Sequence, residues 1–241
     1  MNSANVIRFL VIEAVIIGIS GNAWPQATFQ GLGELPGSHY RSEAYGISED
    51  GSTVVGMSYS PDGFEAFRWT QADGMVGLGA LPSSNFHSWA YAVSGDGTAV
   101  AGDSSSFSGS NSFYWSLGSG ITEIGGFIGT GFSSFARGIS VDGETVVGSS
   151  LSEAYRWTST DGLIGLGDLP GGDFHSNAYA ISQDGNVIVG IGESDLGREA
   201  MRWTEAGGMV GRPSGKLVLK QRLCCFGRRL CRCRFEHSEQ C

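Results

Sequence analysis

The chain reads as an all-β protein made of tandem repeats, each of about four short antiparallel strands, and three observations lead there. A unit of about 46 residues occurs four times in succession. Every unit carries an Asp-Gly dipeptide between runs that are alternating or β-branched, the signature of a tight hairpin. After residue 30 no stretch shows the 3.6-residue periodicity of an amphipathic helix.

The register rests on two independent markers. A serine before the first turn falls at Ser48, Ser94, Ser140 and Ser182, and a tryptophan later in the unit falls at Trp69, Trp115, Trp157 and Trp203. The third copy is short, with Ser149 to Glu153 standing where the first copy has Met57 to Glu65. The flanking segments keep their spacing, so the sequence places the length difference in a loop.

Within a unit the elements follow in order. The first strand, Ala44 to Ser48, alternates small with large residues and ends at Asp50-Gly51, where glycine supplies the positive φ of a tight turn. Thr53-Val54-Val55-Gly56 is the return strand, and a variable Gly/Ser loop follows it. Glu65 to Thr70 is the third strand, with Phe67 and Trp69 on one face and Ala66, Arg68 and Thr70 on the other. A second turn at Asp73-Gly74 opens the fourth strand, Met75 to Gly79.

Four antiparallel strands in 40 to 50 residues match a propeller blade. The size alternation agrees: small residues on one face admit the next sheet closely, and aromatics on the other fill the gap. The expected architecture is therefore β-propeller-like, as a partial or small propeller, with a β-solenoid as the alternative. It occupies residues 28–211, with repeats at about 31–77, 78–123, 124–165 and 166–211.

The ordered set Leu-Gly-x-Leu-Pro-Gly, Ala-Tyr-x-Ile-Ser-x-Asp-Gly, Val-Val-Gly and Glu-Ala-Phe-Arg-Trp-Thr resembles the HAF family of bacterial extracellular repeats, named for a His-Ala-Phe tripeptide. At the tripeptide this chain has Glu65-Ala66-Phe67, Asn111-Ser112-Phe113, Glu153-Ala154-Tyr155 and Glu199-Ala200-Met201, so the histidine is absent from every copy. The resemblance covers residues 31–211. It implies an exported repeat protein and carries no catalytic residue across.

Both ends depart from the repeat. Residues 1–27 read as a secretory signal peptide: an apolar stretch, Phe9 to Ile12 and Ala14 to Gly18, follows Arg8, with small residues near 21 to 27 for cleavage. It is too short to cross a bilayer, and Glu13 interrupts it. Residues 212–241 hold all five cysteines (Cys224, Cys225, Cys231, Cys233 and Cys241) and eight of the fifteen lysines and arginines. A one-base shift accounts for this change. Codons exist for Lys220 to Arg234 that, read one base later, match Ser176 to Gly190 at eleven of fifteen places. The tail therefore reads as a fifth repeat out of frame, and neither the Cys/His237 cluster as a metal site nor the arginines as a nucleic-acid arm survives that reading.

Up to Gly211 the chain has 7 basic and 22 acidic residues and no cysteine. Such a surface repels nucleic acid and anionic lipid. The recurring Ser-x-Asp-Gly faintly resembles the Asp-box of sialidase propellers, itself a hairpin device. Arg68, Arg156 and Arg202 beside the tryptophans are expected to stack on rings or pair with a neighbouring strand's acid. His39, His87 and His175 share no common ligand position, and no nucleophile stands with a base and an orienting group. No catalytic, cofactor-binding or metal-binding residue is assigned. Copy two departs from the others, at Ser105 to Gly109 and by lacking an arginine before Trp115, but towards serine and glycine. The expected role is a secreted, non-enzymatic scaffold or binding module for an unidentified partner, an extracellular protein or a polysaccharide. The alternatives are a sialidase-like glycan hydrolase or a truncated remnant without function.

Overall fold

The structure is a computed structural model that describes residues 29–37, 40–82, 84–106, 109–127 and 133–211. Residues 1–27, expected to be a signal peptide, the cysteine-bearing tail and His39 lie outside them. Four four-stranded antiparallel sheets follow one another, each with its strands in chain order, and no helix occurs among the described residues. Blade 1 is β1 (Ser42–Ile47), β2 (Thr53–Ser60), β3 (Gly63–Thr70) and β4 (Gly74–Gly79). Blade 2 is β5 (Ser84–Val93), β6 (Ala99–Ser106), β7 (Gly109–Ser116) and β8 (Gly120–Gly125). Blade 3 is β9 (Ser134–Ile139), β10 (Thr145–Ser150), β11 (Glu153–Thr158) and β12 (Gly162–Gly165). Blade 4 is β13 (Gly171–Ile181), β14 (Ile188–Ser194), β15 (Gly197–Thr204) and β16 (Gly208–Val210).

The Asp-Gly turns behave as their chemistry requires. Gly51, Gly97, Gly143 and Gly185 have φ of 72 to 74°, and in each turn the serine hydroxyl donates to the aspartate, as Ser48 does to Asp50 at 2.7 Å. The serine oxygen then accepts the N–H that opens the second strand, Thr53 to Ser48 at 2.9 Å. Ser-x-Asp-Gly is thus a closed hairpin device, repeated in blades 2 to 4.

The stretch expected as a variable loop is instead more hairpin. In blade 1 β2 and β3 run on through Tyr59 opposite Phe64 and Ser60 opposite Gly63. Blade 3 lacks those two pairs and turns directly after Ser150 opposite Glu153. Removing four residues as two cross-strand pairs shortens the hairpin without changing which face any side chain occupies.

Consecutive blades pack through unlike faces. The leading face of each blade presents large side chains, and the trailing face of the one before presents small ones. Val55 and Ala66 thus meet Val100 and Phe113, and Val147 and Ala154 meet Ile188 and Met201. Tyr155, fully buried at the same junction position between blades 2 and 3, sends its hydroxyl to Ser112 at 2.9 Å. A serine latch accompanies each junction. The Ser88 hydroxyl accepts the Ala66 N–H at 2.9 Å and donates to the Gly79 carbonyl at 2.6 Å; Ser134 and Ser176 accept the N–H groups of Ser112 and Ala154 in the same way.

The first strands of neighbouring blades touch one another, so β1, β5, β9 and β13 are innermost. Their turns are joined in series by backbone bonds, Glu49 N–H to Gly95 carbonyl, Gly95 to Val141, and Val141 to Gln183. The Gln183 amide then donates to the Glu49 carboxylate at 3.0 Å, linking the last turn to the first. Four antiparallel blades around a common set of inner strands are a β-propeller arrangement.

Candidate functional site

Every inner strand carries a bulge at the same repeat position, and β5 and β13 have a second register shift nearer their starts. The pairing register skips Tyr45, Tyr91, Arg137 and Tyr179, so none of them has a partner on the second strand. A bulge turns the side chain of the extra residue in a new direction. The recurring Val-Val-Gly glycine makes room for it: a Cβ on Gly56 would lie 1.9 Å from the Glu43 carbonyl oxygen, and one on Gly148 equally close to that of Phe135. These glycines are required by close approach of the bulged strand rather than by a turn.

The four bulge residues form a row across the inner strands. The Tyr45 and Tyr91 rings stack with centroids 5.4 Å apart and planes 26° from parallel. The Arg137 guanidinium lies 4.4 Å from the Tyr91 ring centre and 5.2 Å from that of Phe135. Tyr45 is 40 % exposed and Tyr179 51 % exposed, so the row is open at both ends. The Tyr45 hydroxyl donates to Glu43 at 2.8 Å, and Arg41 holds the same carboxylate at 2.9 Å. Burial of the ring, helped by Glu43, pushes the Tyr45 hydroxyl up to about 12.

Arg137 also reaches inward. Its guanidinium meets the Asp103 carboxylate at 2.9 Å, and the other Asp103 oxygen accepts the Ala136 N–H at 2.8 Å. The Asp103 side chain is only 4 % exposed. Burial pushes its pKa up to about 6, while Arg137 and the Ala136 N–H pull the other way. Desolvation outweighs pairing here, as it does for many buried ion pairs. This pair occurs once. The positions equivalent to Asp103 hold Met57, Ser149 and Ile191, and those equivalent to Arg137 hold three tyrosines.

Sequence reasoning noticed the serines of copy two and missed this difference, which is the polar departure between copies that a specific site requires. The signal was present: an arginine replaces tyrosine in one Ala-Tyr-x-Ile-Ser motif, and an aspartate follows one Val-x-Gly. What could not be read is that the two, 34 residues apart, meet across a blade junction.

The other residues singled out from sequence are spent on the blades themselves. Arg68 donates from Nε to the Gly97 carbonyl of the next blade at 2.8 Å and lies 3.8 Å from Asp73 in its own turn. Arg156 pairs with Asp161, likewise in its own turn, at 3.5 Å. Neither stacks on a ring; the rings carrying guanidinium groups face Arg41 and Arg137 instead. Glu65 and Glu153 fold over Gly77 and Gly165 and accept the N–H groups of Gly79 and Gly167 at 3.0 and 3.1 Å. The His87 Nδ1 accepts the Phe64 N–H, and the His175 ring pairs with Asn177. Among the described residues no three of His, Cys, Asp and Glu gather as a metal ion would require.

No protein-family model and no curated protein matches the chain. Solved structures do. TolB from Acinetobacter baumannii superposes with a TM-score of 0.51 at 14 % identity, over 71 % of this chain and 43 % of that one. A protein assigned as TolB from Agrobacterium tumefaciens superposes with a TM-score of 0.51 at 16 % identity, over 71 % of this chain and 61 % of that one. The chain therefore spans roughly half the length of the propeller proteins it resembles, and the similarity concerns the fold.

Proposed function

We propose that this chain is an exported, non-enzymatic binding or scaffold module of the HAF repeat type, which engages an extracellular protein or polysaccharide through the inner-strand row. One observation carries the reading. The recurring polar residues close hairpins and latch blades, while the bulge row of the inner strands leaves Tyr45 and Tyr179 exposed at its two ends. Tyrosine offers a broad apolar face with a polar tip, which suits contact surfaces.

A glycan hydrolase is the competing reading, and the raised pKa of Asp103 favours it, since a general acid needs such a shift. Against it stand the burial of that carboxyl and the engagement of both its oxygens by Arg137 and Ala136. Export follows from the resemblance and from the apolar stretch after Arg8.

The test is retention of the purified protein on a panel of insoluble polysaccharides and immobilised extracellular proteins, with reducing ends assayed in parallel. The reading expects retention on at least one support, lost in Tyr45→Ala/Tyr179→Ala, with no reducing ends released. Release of reducing ends that disappears in Asp103→Asn would replace it with the hydrolase. A tagged full-length chain should accumulate outside the cytoplasm; accumulation inside would refute export.

A further inference from the structure

Among the described residues blade 4 and blade 1 each carry one half of a blade junction, with the Gln183–Glu49 bond joining their turns. On the trailing face of blade 4, Ala200 is exposed where Ala66 and Ala154 are fully buried, and Val189 is 43 % exposed where Val55 and Val147 are fully buried. Arg202 is exposed there, whereas the side chain of its equivalent Arg68 is 15 % exposed. On the leading face of blade 1, Ile47 is 64 % exposed, while its equivalents Ile139 and Ile181 pack against a junction cluster. An apolar cavity of about 620 Å³ lies over that face, between Ile47 and Met75 and the chain's own Phe29 to Leu32, with Val54 and Phe67 already buried at its floor. A smaller one of about 390 Å³ lies over Ala200, Met201 and Arg202 on blade 4.

We infer that two copies of this chain join head to tail, the trailing face of blade 4 in one receiving the leading face of blade 1 in the other. The occupant is a second copy because blade 1 carries large apolar side chains at the repeat positions where blades 2, 3 and 4 carry them against the blade before. Large residues (Ile47, Val54, Phe67) face small ones (Val189, Ala200), as in the three internal junctions. The polar latches match as well. Among the described residues no serine follows to accept the Ala200 N–H, and no blade precedes Ser42, which holds the latch position on blade 1 and donates to the Gly33 carbonyl. Across the junction, Ala200 N–H meets Ser42 Oγ as Ala66 meets Ser88. Arg202 meets the Gly51 carbonyl as Arg68 meets Gly97. The contact joins two different patches and is heterologous, so it either closes into a ring or runs on.

The test is sedimentation velocity on the full-length chain under reducing conditions, which remove any disulfide between tail cysteines. Ala200→Arg blocks the trailing face and Ile47→Arg the leading face. Both side chains are exposed in the single chain, so each variant keeps the wild-type far-ultraviolet spectrum. Wild type should sediment at twice the chain mass or more, and each variant alone as a monomer. An equimolar mixture of the two should form a dimer and nothing larger, because only one intact junction can be assembled. A wild type that stays monomeric at tens of micromolar overturns the inference, as does a variant that still self-associates or a mixture that fails to pair.

Discussion

Replacing Arg137 with glutamine isolates the feature that distinguishes one junction from the others. Near pH 7 Asp103 is ionised, since its pKa lies at about 6. Without the guanidinium it keeps the Ala136 N–H alone, inside a site where its side chain is 4 % exposed. Breaking a buried pair from one side costs about 3 kcal/mol. Below about pH 4 the carboxyl is protonated, no charge is stranded, and the cost falls to that of a hydrogen bond, about 1 kcal/mol. Wild type carries a linked signature. Because the folded pKa lies above the ordinary value of 3.8, the stability this group contributes is fully present below that value and is lost as pH rises through about 6. A shift of about two pK units corresponds to about 3 kcal/mol. The assay is urea unfolding followed by tryptophan fluorescence, at about pH 7 and about pH 4, for wild type, Arg137→Gln, Asp103→Asn and the double variant. The double variant should recover most of the loss seen in Arg137→Gln at the higher pH. A cost for Arg137→Gln that is under about 1 kcal/mol at pH 7, or that does not shrink on acidification, would refute the reasoning.

Other consequences are open to measurement. Ser88→Ala orphans the Ala66 N–H and the Gly79 carbonyl at a buried junction and should cost about 2 to 4 kcal/mol in chemical denaturation; Ser42→Ala, measured in the monomeric Ala200→Arg background, should cost under about 1 kcal/mol. Gly51→Ala and Gly97→Ala share the same backbone penalty of about 1 kcal/mol. The Cβ at 97 would also strike Thr53 of the preceding blade, so Gly97→Ala should melt clearly lower, and equal melting temperatures would refute that contact. The turn aspartates titrate opposite to Asp103. Hydrogen bonds from the serine hydroxyls and following N–H groups hold Asp50, Asp96, Asp142 and Asp184 below their ordinary value. Their contribution is present above about pH 4 and lost as pH falls towards 2, so Asp→Asn in all four turns should flatten the acid limb of a stability-against-pH curve.

Where sequence reading succeeded, the information was local. An Asp-Gly pair after a serine states its own turn, and period-two alternation in Glu65 to Thr70 states which side chains share a face. Both needed only a few consecutive residues, and repetition supplied independent copies of the same evidence. Where it fell short, the deciding partner lay elsewhere. Ser149 to Glu153 reads as a shortened loop until the pairing of Ser150 with Glu153 shows a hairpin missing two rungs. The arginines beside the tryptophans read as groups that stack on rings or pair with a neighbouring acid; Arg68 and Arg156 lie against turn aspartates, but that Gly97 of the next blade takes the Arg68 Nε could not be read. Asp168 gives no signal at all. Blade 4 has Gly192 where Ser58, Ser104 and Ser150 accept the N–H of Leu35, Leu81 and Phe127, and the Asp168 carboxylate fills that space and accepts from Leu169 and Glu193 instead.

The amino-acid sequence by itself determined the repeat, the four strands of each blade and the turns that join them, because short-range backbone preference and side-chain alternation specify those without reference to anything distant. Only the tertiary structure decided that a bulge aims one residue per blade into a common row, that Asp103 and Arg137 meet there, and that among the described residues Ile47 and Ala200 are exposed where their equivalents are packed. Each of these depends on which blade lies against which, and blade packing brings together residues whose separation along the chain carries no trace of their contact.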